Sequence, residues 1–178
     1  MELRNLQLWM PRLEPLLIDE VTADSRAVRG KRTLFVALKG RHGDGHAYVP
    51  EAIRAGAACA LVCNEYQAPE EVLEERLIRV EDPLAALQDL AGWYRSTLPS
   101  LQVVAVTGSC GKTMLKDLLG HLFFGPEVFT SPESFNSQFG VALSLLSIPQ
   151  GAHLAFIEMA ANRPGEMERL VQIGRAHV

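Results

Sequence analysis

The stretch Val103-Val-Ala-Val-Thr-Gly-Ser-Cys-Gly-Lys-Thr113 decides how the rest of the chain is read. An apolar run bounded by a glycine turn reads as a buried strand, and residues 112–124 then carry helical spacing. Strand, glycine loop and helix in this order make a cradle for phosphate. Small residues let backbone N–H groups curl around phosphate oxygens, and the helix N-terminus adds partial positive charge. In the general pattern G-x-x-x-x-G-K-[ST], the lysine reaches the β- and γ-phosphates and the hydroxyl coordinates Mg²⁺. Those roles fall to Lys112 and Thr113, with Gly108, Ser109, Cys110 and Gly111 forming the loop around ATP. Val106 stands where the pattern has its first glycine, which leaves the shorter form Thr107-Gly-x-x-Gly-Lys-Thr113. A glycine turn that merely joins strand to helix is the plainer reading. The Gly-Lys-Thr opening of the helix argues against it.

Such a loop also needs a carboxylate for its metal, usually at the end of a neighbouring strand. Leu154-Ala-Phe-Ile157 reads as a buried strand and Glu158 follows it directly, so Glu158 is the expected partner of Thr113 at Mg²⁺.

Working outward, apolar runs alternate between strand-like and helix-like periods. Strands are expected at 34–38, 58–63, 77–80, 101–106, 128–129 and 154–157. Helices are expected at 48–57, 83–97, 112–124, 138–146 and 166–173. Asp82 is placed to cap the second helix, with Pro83 at its first position. This alternation predicts an α/β fold with mainly parallel sheets. Pro99-Ser100 breaks the pattern, so two domains are expected: a small α/β substrate domain at 1–98 and a P-loop domain from 99 to 178. The second offers about three strands, fewer than the four to six common in open sheets, and the chain stops where a further strand is due. A truncated domain with an unpaired edge is expected, with some tendency to associate.

Composition excludes other classes. The chain has 178 residues, 48% hydrophobic and 21% charged, with a formal net charge of −4. No basic block offers a stripe for nucleic acid. No apolar run approaches the roughly 18 residues a membrane helix needs, and Glu2, Arg4 and Pro11 interrupt any signal-peptide core. A cytoplasmic protein is expected. Three cysteines give no disulfide framework, and Cys59 and Cys63 read as small buried hydrophobes.

Three sets of residues carry a resemblance. Thr107-Gly-Ser-Cys-Gly-Lys-Thr113 resembles the P-loop of the Mur ligases, which build the peptide of the peptidoglycan precursor. Asp24-Ser-Arg26, Gly30, Leu34-Phe-Val-Ala-Leu-Lys-Gly40, Asp44-Gly-His46, Ala52 and Gly56-Ala57 resemble the substrate domain shared by two members of that family. Asn136, Gly140-Val141, Leu143, Leu145-Leu146, Glu158, Ala161-Asn162 and Pro164-Gly165-Glu166 resemble the dipeptide-adding member. The resemblance implies an ATP-dependent ligase, monomeric at full length, that joins D-alanyl-D-alanine to UDP-N-acetylmuramoyl-tripeptide through an acyl phosphate. It implies that residues before about 99 hold the uridine diphosphate part through Ser25, Arg26, Asp44 and His46. It implies that Asn136 lies at the nucleotide or acyl-phosphate site. Ser137 stands where the family often has a second Asn, Ala142 where Pro is usual, and Met159-Ala160 where Leu-Gly is common. The Asn136-Ser-Gln form resembles versions fused to an alanine racemase domain. The chain alone is expected to bind without turning over.

Plainer readings stand beside these. Asp24-Ser-Arg26 also reads as a turn with an exposed arginine, and Gly43-Asp-Gly45 as a turn between His42 and His46. His121 and Lys116 read as solvated positions on the helix after the loop, and Glu166 and Glu168 as starters of the last helix. A P-loop kinase or other NTPase would leave residues 20–98 unexplained. A non-catalytic module for UDP-linked ligands and ATP is the third alternative.

Overall fold

The computed structural model describes residues 18–40, 43–132 and 135–176. His42, one of the turn histidines, and His177 lie outside them. The chain divides into two compact units between Ala86 and Leu87.

The first unit is built on a four-stranded, wholly parallel sheet in the order β1-β2-β5-β6. Its strands are β1 (Glu20–Thr22), β2 (Thr33–Val36), β5 (Cys59–Cys63) and β6 (Leu77–Val80). Strands in a parallel sheet are covered on both faces and read as continuous apolar runs. All four residues of β2 are buried accordingly. Between β2 and β5 lie a two-stranded antiparallel hairpin, β3 (Lys39–Gly40) with β4 (Gly43–Asp44), and helix α1 (Val49–Arg54). Val49, Ala52 and Ile53 of α1 pack in one core with Phe35, Ala60 and Val62 of the sheet. The helix expected over 48–57 is shorter than its apolar spacing suggested. Gly45–Tyr48 forms a 3-10 turn ahead of it instead, started by the Asp44 carboxylate accepting the His46 N–H.

The second unit holds most of helix α2 (Pro83–Ser96) and then alternates β7 (Gln102–Val106), α3 (Lys112–Leu122), β8 (Val128–Thr130), α4 (Gln138–Leu146), β9 (Leu154–Glu158) and α5 (Glu166–Gly174). Its three strands are parallel in the order β7-β9-β8. The mainly parallel α/β class expected from the pattern is what forms. Asp82 Oδ1 accepts the N–H groups of Leu84 and Ala85, at 2.8 and 3.2 Å, and so caps α2 as expected.

The expected break at Pro99-Ser100 falls later than the division of contacts, which lies inside α2. From Leu87 onward that helix bonds into the second unit. Gln88 donates to Gln138 Oε1, Tyr94 Oη donates to the Ile148 carbonyl at 2.6 Å, and Arg95 donates to the carbonyls of Leu98, Leu101 and Gly174. The reading of Lys116 as a solvated position is corrected. Lys116 is 2% exposed and is the buried residue of α3, because the helix lays that face on the sheet. His121 is exposed as expected. Cys59 is buried, which pushes its thiol up to about 12, and Cys63 is half-buried.

Candidate functional site

The loop after β7 turns through Gly108 and Gly111, whose φ angles are +146° and +77°. Side chains disfavour both conformations, so glycine at these two points lets the chain double back. Gly111 is the N-terminal flanking residue of α3, and Lys112 opens the helix. Ser109 and Cys110 are exposed on the loop. Lys112 Nζ donates to the Gly108 carbonyl at 2.8 Å, so the ammonium sits over the loop.

The parallel ladder sets Val106 opposite Glu158. The end of β9 therefore lies beside the strand that launches the loop. Glu158 is 1% exposed. Its Oε2 accepts from the Thr113 hydroxyl at 2.8 Å and its Oε1 accepts from Asn136 Nδ2 at 2.7 Å. Its backbone N–H donates to Ser131 Oγ at 3.1 Å. The chain beyond β9 is held there by the Met159 N–H on the Val106 carbonyl and the Ala160 N–H on the Asn136 carbonyl. Thr113, Asn136 and Glu158, far apart in sequence, thus meet at the C-terminal ends of the strands, where open α/β sheets bind their ligands.

A hydroxyl and a carboxylate in contact are a hard-oxygen donor set suited to Mg²⁺, which binds one or two carboxylates and takes its other ligands from water and substrate phosphates. Among the described residues no group of three or more His, Cys, Asp or Glu could hold a metal by itself. Thr113 and Glu158 thus offer two oxygen donors of the kind such a cation takes beside water and phosphate oxygens. Next to it, Glu166 accepts from the N–H groups of Asn162 and Arg163 and from Gln138 Nε2. The Asn162 hydrogen bond is the main cause that holds its carboxyl below the usual range. This is the helix-starting role read for Glu166.

In the first unit, Ser25 is buried and its hydroxyl donates to Glu51 Oε2 at 3.0 Å. Arg26 is exposed, and Asp24 accepts from both its Nε and its Nη2, at 2.9 and 2.8 Å. The turn reading and the exposed arginine both hold in the structure. His46 is buried with both ring nitrogens engaged. Nε2 accepts the Cys63 N–H at 2.9 Å, which leaves Nδ1 to carry the proton and donate to Asp44 Oδ1 at 2.5 Å. His46 therefore pins the Asp44 turn to β5, and it is the Asp44 carboxylate that stands at the surface. Glu51 and Ser131 escaped the sequence reading, since neither belongs to a motif and each matters only through a contact made by folding.

Glycine loop, lysine-headed helix and a buried strand-end carboxylate against the threonine are together the architecture of a P-loop α/β unit. The family model described as "Mur ligase family, catalytic domain" matches residues 17–95, ahead of the loop. The chain is 38% identical over 162 residues to the UDP-N-acetylmuramoyl-tripeptide–D-alanyl-D-alanine ligase of Treponema pallidum, covering 87% of this chain and 35% of that protein. A crystal structure of MurF from Acinetobacter baumannii superposes with a TM-score of 0.84 at 26% identity, covering 99% of this chain and 39% of that one. MurF ligase from Thermotoga maritima in complex with ADP gives 0.74 at 35% identity, covering 90% of this chain and 36% of that one. The chain belongs to the Mur ligase family, and within it is similar to the ligases that carry the UDP-N-acetylmuramoyl-tripeptide–D-alanyl-D-alanine name. It spans about a third of the length of the curated relatives it matches.

Proposed function

We propose that this chain supplies the substrate-holding unit and the ATP-binding loop of a cytoplasmic UDP-N-acetylmuramoyl-tripeptide–D-alanyl-D-alanine ligase. The observation that carries the proposal is the contact of Thr113 with the buried Glu158 beside the glycine loop. In this reading the γ-phosphoryl group of ATP passes to the terminal carboxylate of the tripeptide, giving an acyl phosphate and ADP. The amine of D-alanyl-D-alanine then attacks the acyl carbon, the amide forms, and inorganic phosphate leaves.

The loop amides and Lys112 hold the β- and γ-phosphates, and Thr113 and Glu158 hold Mg²⁺, with Asn136 orienting the Glu158 carboxylate. Bound there, Mg²⁺ supplies charge neutralisation at the transferred phosphoryl group. Ser25, Arg26, Asp44 and His46 serve the uridine diphosphate end, with Arg26 and Asp44 at the surface and Ser25 and His46 setting the two turns. Relatives roughly three times as long support a further reading: this chain binds its ligands without completing the reaction.

Calorimetric titration of the chain with MgATP, and separately with UDP-N-acetylmuramoyl-tripeptide, tests this. Lys112→Ala is expected to weaken MgATP roughly tenfold or more, as loss of a charge-assisted contact does. Arg26→Ala is expected to weaken the muropeptide and leave MgATP alone. MgATP binding with no response to any uridine compound would sink the substrate assignment. An affinity for MgATP indifferent to Lys112→Ala would sink the loop assignment.

A further inference from the structure

Lys116 is the one residue of α3 that the sheet fully buries. Taking an ammonium out of water is costly unless it is paired and hydrogen-bonded, and an apolar residue would fill a helix–sheet contact without that cost. Lys116 Nζ donates to the Ser131 carbonyl at 2.8 Å and pairs with Asp117 Oδ1 at 3.0 Å. Ser131 follows β8 directly and is itself buried. Its N–H donates to the Phe156 carbonyl and its hydroxyl accepts the Glu158 N–H. Glu158 in turn accepts from Thr113, which sits one turn before Lys116 on the same helix.

The four residues close a circuit: Lys116 to Ser131, Ser131 to Glu158, Glu158 to Thr113, and back along one turn of α3. Each link fixes the next. The Ser131 tie sets how closely α3 approaches the ends of β8 and β9, and the Ser131 hydroxyl sets where the Glu158 backbone stands. Together they determine whether the carboxylate meets the Thr113 hydroxyl.

We infer that Lys116 is a positioning residue for the cation site: through Ser131 it holds the Glu158 carboxylate against Thr113. The inference rests on the proposed reading of Thr113 and Glu158 as Mg²⁺ ligands. Lys116 itself touches neither nucleotide nor cation in this role.

The test compares the affinity of the whole chain for ATP with Mg²⁺ and for ATP in EDTA, by calorimetry, in wild type, Lys116→Met and Ser131→Ala. Residues that orient metal ligands typically alter metal affinity about 10- to 100-fold. Lys116→Met is therefore expected to lose roughly tenfold or more of the Mg²⁺-dependent gain, with the EDTA affinity kept within about twofold. Ser131→Ala is expected to lose part of the same gain. If Lys116→Met stays folded and retains the gain, the inference falls. It falls equally if both affinities drop by the same factor, since that marks general damage to the loop. If Lys116→Met does not fold, Ser131→Ala decides, and a retained gain there overturns the inference. A wild-type chain that binds no MgATP overturns the proposed function and this inference together, an outcome distinct from a wild-type gain that the variants preserve.

Discussion

At the scale of single residues, two side chains show how polar groups hold the first unit's turns. His46 accepts the Cys63 N–H and donates to Asp44 from a buried position. His46→Ala would take the acceptor from the half-buried Cys63 N–H, which costs about 1 kcal/mol. A lower urea midpoint with unchanged slope would register this, and an unchanged midpoint would refute it. Asp44 gives a pH signature. The His46 N–H, and then the His46 ring, hold its carboxyl below the ordinary value of 3.8. A depressed carboxyl contributes stability that is complete above its unfolded pKa and lost as pH falls through the lower folded one. Urea midpoints are therefore expected to fall on acidification below about pH 4, near the unfolded value, and less steeply in Asp44→Asn. Equal slopes in the two proteins would remove Asp44 from the acid limb.

At the scale of elements, helix α2 is fixed at both ends. Asp82 caps its start, and Asp82→Ala is expected to cost about 0.5–2 kcal/mol. Arg95 near its end is buried and serves three carbonyls, those of Leu98, of Leu101 just before β7 and of Gly174 at the end of α5. No carboxylate faces it among these partners, so burial lowers its pKa while the three carbonyls use its fork of donors. Arg95→Leu takes the side-chain donor from the Leu101 and Gly174 carbonyls, while the Leu98 carbonyl keeps the Leu101 N–H, and a loss of about 3 kcal/mol is expected. Thermal unfolding compared across the two variants checks both, with Arg95→Leu the larger shift. The reverse order would mean that the carbonyls find water instead.

At the scale of the whole molecule, the surface of the second unit matters most. Helix α3 buries Lys116 and exposes Met114, Leu115, Leu118 and Leu122, and Phe124 just beyond it is 91% exposed. Contiguous apolar surface of this kind drives association. The outer strands β7 and β8 of the second sheet add backbone edges. Light scattering on a size-exclusion column is expected to show mass rising with concentration, and Leu118→Lys with Leu122→Lys to reduce it. A single monomer mass at high concentration would count against this. Among the described residues no helix is long and apolar enough to cross a membrane.

Much of this molecule was legible without coordinates. The apolar runs at 77–80 and 138–146 became elements with those bounds, and the strand, loop and helix around Thr107–Thr113 formed as read, because local periodicity and glycine content decide such units. Strand β1 and the β3–β4 hairpin were missed, since two or three residues carry no period and pair only with partners folding supplies. Glu158 was legible because a carboxylate ending a buried strand announces itself. Its meeting with Thr113 and Asn136 depended on β9 inserting between β7 and β8. Lys116 marks the limit. Charge and spacing made it a surface residue, and only the packing of α3 on the sheet turned it inward onto Ser131. Local sequence thus determined the elements and the glycine turn between β7 and α3. Tertiary packing alone decided which polar groups left water, because that depends on neighbours distant in the chain.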